Sequence, residues 1–345
     1  MKALVMTAYK ELVYTDYPDP EPAGAHDLLV RVKATAICGS DVHGFDGSTG
    51  RRKPPIVMGH EAAGEVIETG SNVRKFKKGD RVTFDSTIYC GECYYCRSGQ
   101  INLCDNRVVL GVSCDEYRRD GTFAEYVVVP EHIVFPLPPE LSYEEASLTE
   151  PAGVAAHALR ISPLAFNDTA AVVGSGLIGL LLIALLRVSV SGKIIALDTD
   201  PSRRETALAW GADAALDPAG AGLEDRIREL TGGRGADRVF EAVGAGASIQ
   251  TALAIVRKGG SLTLIGNVSP RVEIPLQSVV SRQISLLGSC AISGEYPGVL
   301  DLMARKKLCV KPLISAAAPL REGPDWFNRL YNREGKLLKV VLLPG

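Results

Sequence analysis

The run Cys90-x-x-Cys93-x-x-Cys96-x₇-Cys104 places four thiols in one short loop. Thiolates this close in sequence can surround one soft divalent cation, and four of them satisfy tetrahedral zinc with no position left open. A closed site of that kind folds a loop rather than performing chemistry. A reactive metal needs a mixed, open set of ligands. Cys38, His60 and Glu61 offer a thiol, an imidazole and a carboxylate, the donor types of catalytic zinc. On spacing alone, a buried cysteine and a packed histidine are an equal alternative. Ser40 and His43 add a hydroxyl and an imidazole close to Cys38, where they could pass a proton from an alcohol to solvent.

A second kind of chemistry is written at Gly174-Ser175-Gly176-Leu177-Ile178-Gly179. A short apolar stretch, Ala170 to Val173, precedes this turn, and a hydrophobic helix pattern follows it. The first glycine permits a tight turn, the second lets backbone approach a pyrophosphate, and the third lets helix pack on strand. Ser175, Leu177 and Ile178 contribute the amides at the helix N-terminus on which a pyrophosphate rests. Asp198 ends the next strand pattern, where an acid can bind the adenosine ribose hydroxyls and repel a 2′-phosphate. That combination favours NAD over NADP, with Arg203 close enough to loosen the preference. The bland alternative is a glycine turn that packs a helix and holds nothing.

These residues need elements to position them. The chain has 345 residues, longer than one core usually supports, so two domains are expected. Before Ser142 the pattern is strand and turn: Leu28–Ala34, Ala63–Ile67, Arg81–Phe84 and Ala124–Val129 read as strands. Ser142-Tyr143-Glu144-Glu145 has the form of a capping box. After it, strands at 170–173, 193–198, 238–243, 261–265 and 284–287 alternate with helical stretches such as 202–210, which indicates a doubly wound parallel sheet. The last stretch reads as one helix and a terminal strand, Lys339–Leu343, too little for a domain of its own. The expected boundaries are 1–152, 153–290 and 291–345, the last returning to the first.

Composition narrows the class. Forty-six per cent hydrophobic and 23 per cent charged residues fit an ordinary globular protein. A net charge of −2 gives no reason to expect nucleic acid or an acidic membrane as partner, and Glu92 and Asp105 beside the cysteine loop argue against a zinc ribbon on nucleic acid. The apolar start Met1–Met6 is too short for a signal peptide, so the cytoplasm is the expected compartment. Clustered cysteines in a reducing compartment read as metal ligands. Cys114, Cys290 and Cys309 read as small buried hydrophobes, Arg51-Arg52-Lys53 as a solvated loop, and His157 as a packed helix histidine.

Taken together, Gly59-His60-Glu61-Ala62-Ala63-Gly64 with Gly70 and Val73, the cysteine loop and the later glycine turn resemble the zinc-containing medium-chain alcohol dehydrogenases over essentially the whole chain. The resemblance implies a GroES-like, β-rich catalytic domain plus a Rossmann domain, an α/β protein. It implies Cys38 and His60 as ligands of a catalytic zinc and Cys90, Cys93, Cys96 and Cys104 as ligands of a structural one. The simple-alcohol branch supplies a third cysteine, whereas this chain has Glu150 in Leu148-Thr149-Glu150-Pro151-Ala152. That departure is similar to the polyol (sorbitol-type) and threonine dehydrogenase branch, in which Glu61 or Glu150 completes the shell. Ser40 and His43 match the proton relay. The implied activity is transfer of hydride from a secondary alcohol, a polyol or sugar alcohol, to NAD, with threonine, a diol or a phosphorylated polyol as alternatives, by a homodimer or homotetramer in which Ile284–Leu287 pairs with the same strand of a second copy. A non-catalytic protein holding zinc and NAD is the reading from another class.

Overall fold

The strands Asp27–Ala36 and Glu61–Thr69 run antiparallel, with Ala36 opposite Glu61. Leu28, Val30, Val32 and Ala34 alternate with Arg31 and Lys33, so one face of the strand buries apolar side chains and the other does not. The sheet continues in the order Val134–Pro136, Arg81–Phe84, Glu61–Thr69, Asp27–Ala36, Lys339–Leu343, Ile314–Pro319, and Tyr126–Pro130 also pairs with Asp27–Ala36. Leu28, Val30, Val32, Val66, Val82, Phe84 and Val129 form its core. Each such side chain contributes about 1.5–3 kcal/mol on burial. The computed structural model describes residues 1–21, 24–113, 118–189 and 192–345. Cys114 lies outside the described residues.

The chain divides into two compact units, Met1–Gly153 with Ile292–Gly345, and Val154–Ala291. The second unit is a six-stranded parallel sheet in the order Ala214–Leu216, Ile194–Leu197, Ala170–Val173, Ala236–Glu241, Val256–Leu264, Ser285–Gly288. Ala170–Val173 and Ile194–Leu197 are buried along their whole length, as strands covered on both faces must be. The strand order reverses beside Ala170–Val173: the chain builds outward on one side of it, then on the other. The helix Leu177–Val188 packs down through Leu180, Leu181, Leu182, Ile183, Leu185 and Leu186, all buried.

Several elements differ from the sequence reading. The stretch after 291 holds two helices, Tyr296–Ala304 and Gly323–Tyr331, and two strands rather than one of each. Ile314–Pro319 is an alanine-rich segment with little strand propensity of its own; its parallel pairing with Lys339–Leu343 makes it a strand. The N-terminal hairpin Lys2–Ala8 with Glu11–Asp16 was likewise not expected. Cys309 is exposed and Cys290 half-buried, so neither is the buried hydrophobe anticipated. The Ser142 capping box is present, with Glu145 N–H donating to Ser142 Oγ and Ser142 N–H to Glu145 Oε2.

Candidate active site

The four loop cysteines converge. Their sulfurs all lie within 4.8 Å of one another, with Cys104 and Cys90 at 3.5 Å and Cys90 and Cys96 at 4.0 Å. The thiols are free, not disulfide-bonded. Tetrahedral zinc with thiolates at about 2.3 Å puts its sulfurs about 3.8 Å apart, so this cage has the size the ion requires. Backbone N–H groups of Cys93, Cys90 and Asn106 point at sulfurs of Cys90 and Cys104. The backbone N–H groups of Glu92 and Cys93 hold the Cys90 thiol down to about 6, whereas burial pushes Cys96 up to about 12. A cation shared by all four is what would hold both as thiolates.

The second cluster follows from register. Because Ala36 faces Glu61, Cys38 just beyond one strand meets His60 just before the other. Ligand atoms of Cys38, His60 and Glu61 lie within 4.8 Å of one another. Val341 pairs with Ala36, and Ile37 N–H donates to the Val340 carbonyl, which brings the head of the last strand to the same place. There Lys339 is buried, its Nζ donating to Glu61 Oε1 (2.9 Å), Glu61 Oε2 (2.7 Å) and the Ile37 carbonyl (3.0 Å). Burial alone would depress the Lys339 amine, but the Glu61 charge outweighs it and keeps the amine protonated.

Asp41 extends the cluster. Its Oδ1 accepts from Arg52 Nη2 at 2.8 Å and Nε at 3.2 Å, and stands 3.4 Å from His60 Nδ1. Burial would raise the Asp41 carboxyl, yet the His60 and Arg52 charges hold it well below the usual range. His60 Nδ1 is buried and near enough to Asp41 for charge attraction without being aligned as a hydrogen bond. Arg52 is buried and paired, which overturns the solvated-loop reading of that residue. Glu150, in the first turn of the helix Thr149–Ile161, is also buried, and burial pushes its carboxyl up to about 8. It lies outside the group of three donors in mutual reach.

Charge completes the fit. Cys38, Asp41, Glu61 and Glu150 bring four acidic groups to a site whose cationic side chains are Arg52 and Lys339, a donor set that a divalent cation would suit. Glu61 accepts two bonds from Lys339, and a carboxylate has about four lone-pair sites, so it keeps capacity for a metal. Ser40 is exposed, and its Oγ lies 3.4 Å from Arg52 Nη2. His43 is exposed on the helix Gly39–Gly44, and among the described residues no hydrogen bond joins its ring to Ser40. Sequence reading missed Asp41, Arg52 and Lys339. A charged residue at the head of the apolar strand 339–343 was the available signal for Lys339.

In the second unit the glycine turn has the expected shape. Gly174 adopts φ +96°, and a Cβ on Gly179 would lie 1.9 Å from the Gly174 carbonyl oxygen. Among the described residues nothing lies within 4 Å of where a Cβ on Gly176 would stand, and no side chain caps the helix that begins at Leu177. Open space beside uncapped amides suits a pyrophosphate. Asp198 ends its strand buried, its Oδ2 accepting from Ser175 N–H at 2.8 Å and its Oδ1 from Asp200 N–H at 2.9 Å. Arg203 is half-exposed, with Nη1 3.9 Å from Asp198 Oδ2. His157 is buried with Arg160 Nη2 3.2 Å from its Nδ1, a packed helix histidine.

Comparison with known proteins agrees with these two sites. Residues 24–139 match the alcohol dehydrogenase GroES-like domain and residues 178–305 the zinc-binding dehydrogenase family. The chain is 34% identical to D-arabitol-phosphate dehydrogenase of Enterococcus avium, covering 97% of this chain and 94% of that protein. It is 34% identical to sorbitol dehydrogenase of Bacillus subtilis, covering 100% and 98%. A zinc-binding dehydrogenase of Sinorhizobium meliloti, solved bound to NADP, superposes with a TM-score of 0.90 at 32% identity over 99% of both chains. With a zinc cage, a mixed metal cluster and a dinucleotide turn in place, the chain belongs to the zinc-binding alcohol dehydrogenase family, oxidoreductases that work with zinc and a nicotinamide dinucleotide.

Proposed function

We propose that the protein oxidises a secondary alcohol of a polyol or sugar alcohol, with NAD as the acceptor. The observation that carries this reading is the cluster of half-buried Cys38 with buried His60 and Glu61, backed by Glu150 where a third thiol would make a simple-alcohol site. The named relatives, an arabitol-phosphate and a sorbitol dehydrogenase, support the polyol class. Cys38, His60 and Glu61 hold the catalytic ion, Glu150 stands beside them, and Cys90, Cys93, Cys96 and Cys104 hold the structural one. When bound, zinc supplies Lewis acidity that makes a substrate hydroxyl a better acid, and the nicotinamide ring takes up hydride.

The chain's own residues then do the rest. Asp41, held by Arg52, stands 3.4 Å behind His60 Nδ1 and would steady the ring by charge when His60 ligates the ion. Ser40 Oγ receives the substrate proton, and His43 at the exposed end of the same helix passes it to solvent. Gly174, Ser175, Gly176, Leu177, Ile178 and Gly179 seat the pyrophosphate. Asp198 binds the adenosine ribose and disfavours a 2′-phosphate, which Arg203 tempers. Residues 1–152 with 291–345 form the catalytic domain and 153–290 the cofactor domain. Ser285–Gly288 is an edge strand of its sheet and suits pairing with a second copy in a homodimer or homotetramer. Free zinc-loop thiols fit the cytoplasm as the compartment.

The test is a panel. NAD⁺ and NADP⁺ reduction is followed with sorbitol, xylitol, galactitol, butanediol, threonine and sorbitol 6-phosphate. The reading predicts turnover of polyols with NAD⁺ ahead of NADP⁺. Turnover confined to threonine or to primary alcohols would contradict the substrate class, and no reduction by zinc-replete protein would contradict the enzyme reading.

A further inference from the structure

In the run Arg51-Arg52-Lys53 only the middle residue is buried, at 3% exposed. Its guanidinium reaches the helix Gly39–Gly44, which begins just after Cys38. Gly44 makes room for the stem, since a Cβ there would collide with Arg52 Cγ. Nε and Nη2 donate to Asp41 Oδ1 at 3.2 and 2.8 Å, and Nη1 donates to the Arg51 carbonyl at 3.4 Å. The second hydrogen on Nη2 is aimed at Ser40 Oγ, 3.4 Å away. One buried cation therefore has two links. Asp41 leads to His60, and Ser40 leads to the hydroxyl that meets substrate.

The link to Ser40 constrains a rotor. A serine hydroxyl has one donor and two acceptor sites, and its hydrogen turns to suit its partners. A guanidinium accepts nothing, so Ser40 Oγ can only accept from Arg52. The Ser40 hydrogen is thereby turned away from Arg52, and one lone pair stays open for an incoming hydroxyl. Ser40 N–H lies 3.5 Å from Cys38 Sγ, so this hydroxyl stands at the edge of the metal cluster. A group that takes a proton on one side and releases its own on another gains from being held in that geometry.

We propose that Arg52 is a positioning residue for proton transfer, holding the Ser40 hydroxyl with one lone pair open to the substrate and its hydrogen aimed outward. The proposal rests on the role given to Ser40 above. A merely structural Arg52 would act through Asp41 and His60 alone. The two roles separate in Arg52→Lys, which keeps a cation for Asp41 but lacks the planar fork that spans both partners.

The test is a double-mutant cycle in zinc-loaded protein, following NAD⁺ reduction by a polyol substrate in Arg52→Lys, Ser40→Ala and the two combined. Arg52→Lys should lower kcat about tenfold and Ser40→Ala about a hundredfold. In the Ser40→Ala background Arg52→Lys should cost less than about twofold more, because its target is gone. Chelator competition for the catalytic zinc reads the other link without turnover. Arg52→Lys should change that affinity by less than about threefold, against about tenfold or more if Arg52 acted through His60. An unchanged kcat in Arg52→Lys, losses that multiply in the combined variant, or a tenfold loss of zinc affinity would each overturn the proposal. If Arg52→Lys does not fold, Gly44→Ala takes its place, since its methyl displaces the Arg52 stem and leaves every charge. Losses that multiply there overturn the proposal equally. Full activity in Ser40→Ala would remove the relay role of Ser40 and this inference, while the enzyme reading would stand. Zinc-replete wild type that reduces no NAD⁺ would remove both.

Discussion

At the scale of single residues, the chemistry concentrates where charges are buried in pairs. Lys339 and Glu61 are both fully buried, and each is the main partner of the other. Removing one partner of such a pair leaves an uncompensated charge, which costs about 3–5 kcal/mol. Lys339→Met should therefore unfold at clearly lower urea concentration than wild type when metal is chelated. Adding zinc should recover part of the loss, since the ion offsets the Glu61 charge. Equal midpoints for chelated variant and wild type would contradict the assignment. Cys38, His60 and the four loop cysteines were legible in the sequence because their spacing is local or their triplet distinctive. Lys339 was not, because nothing in the sequence says that a residue near the end of the chain meets position 61. Arg52 was misread for the same reason: only the partner, Asp41, makes a buried arginine acceptable.

At the scale of elements, strand register and two glycines do the positioning. The pairing of Ala36 with Glu61 is what joins Cys38 to His60, and a slip of one residue would send Glu61 to the other face. In the second unit, Gly179 lets the helix Leu177–Val188 approach the turn. Gly179→Ala would press a methyl to 1.9 Å from the Gly174 carbonyl, so the helix start must shift. The expected cost is about 1–3 kcal/mol of stability, read as a lower melting temperature, together with weaker NAD⁺ binding by titration. A variant that melts and binds like wild type would show that the close approach is not needed. Alternation of short apolar strands with helices made the parallel sheet legible. The strand Ile314–Pro319 was not, since its alanines carry no strand preference and its partner supplies the hydrogen bonds.

At the scale of the molecule, the end of the chain is tied into its beginning. Tyr331 Oη donates to Asp46 Oδ2 at 2.9 Å, and Ser48 N–H donates to Asp46 Oδ1 at 2.9 Å. The Ser48 hydroxyl and N–H, with Tyr331, hold the Asp46 carboxyl down to about 2. A depressed native carboxyl adds stability that is complete above the ordinary aspartate range and is lost as pH falls from about 4 towards 2. Melting curves from pH 6 to pH 2 should show Tyr331→Phe losing less than wild type over that acid window. Parallel curves would remove the tie from the account. The central claim is two metals with separate duties. It is tested most directly by zinc per chain and NAD⁺ reduction in wild type and Cys38→Ser. The account predicts about two zincs and activity in wild type, and about one zinc, a folded protein and no activity in Cys38→Ser. Two retained zincs, or retained activity, in Cys38→Ser would contradict it.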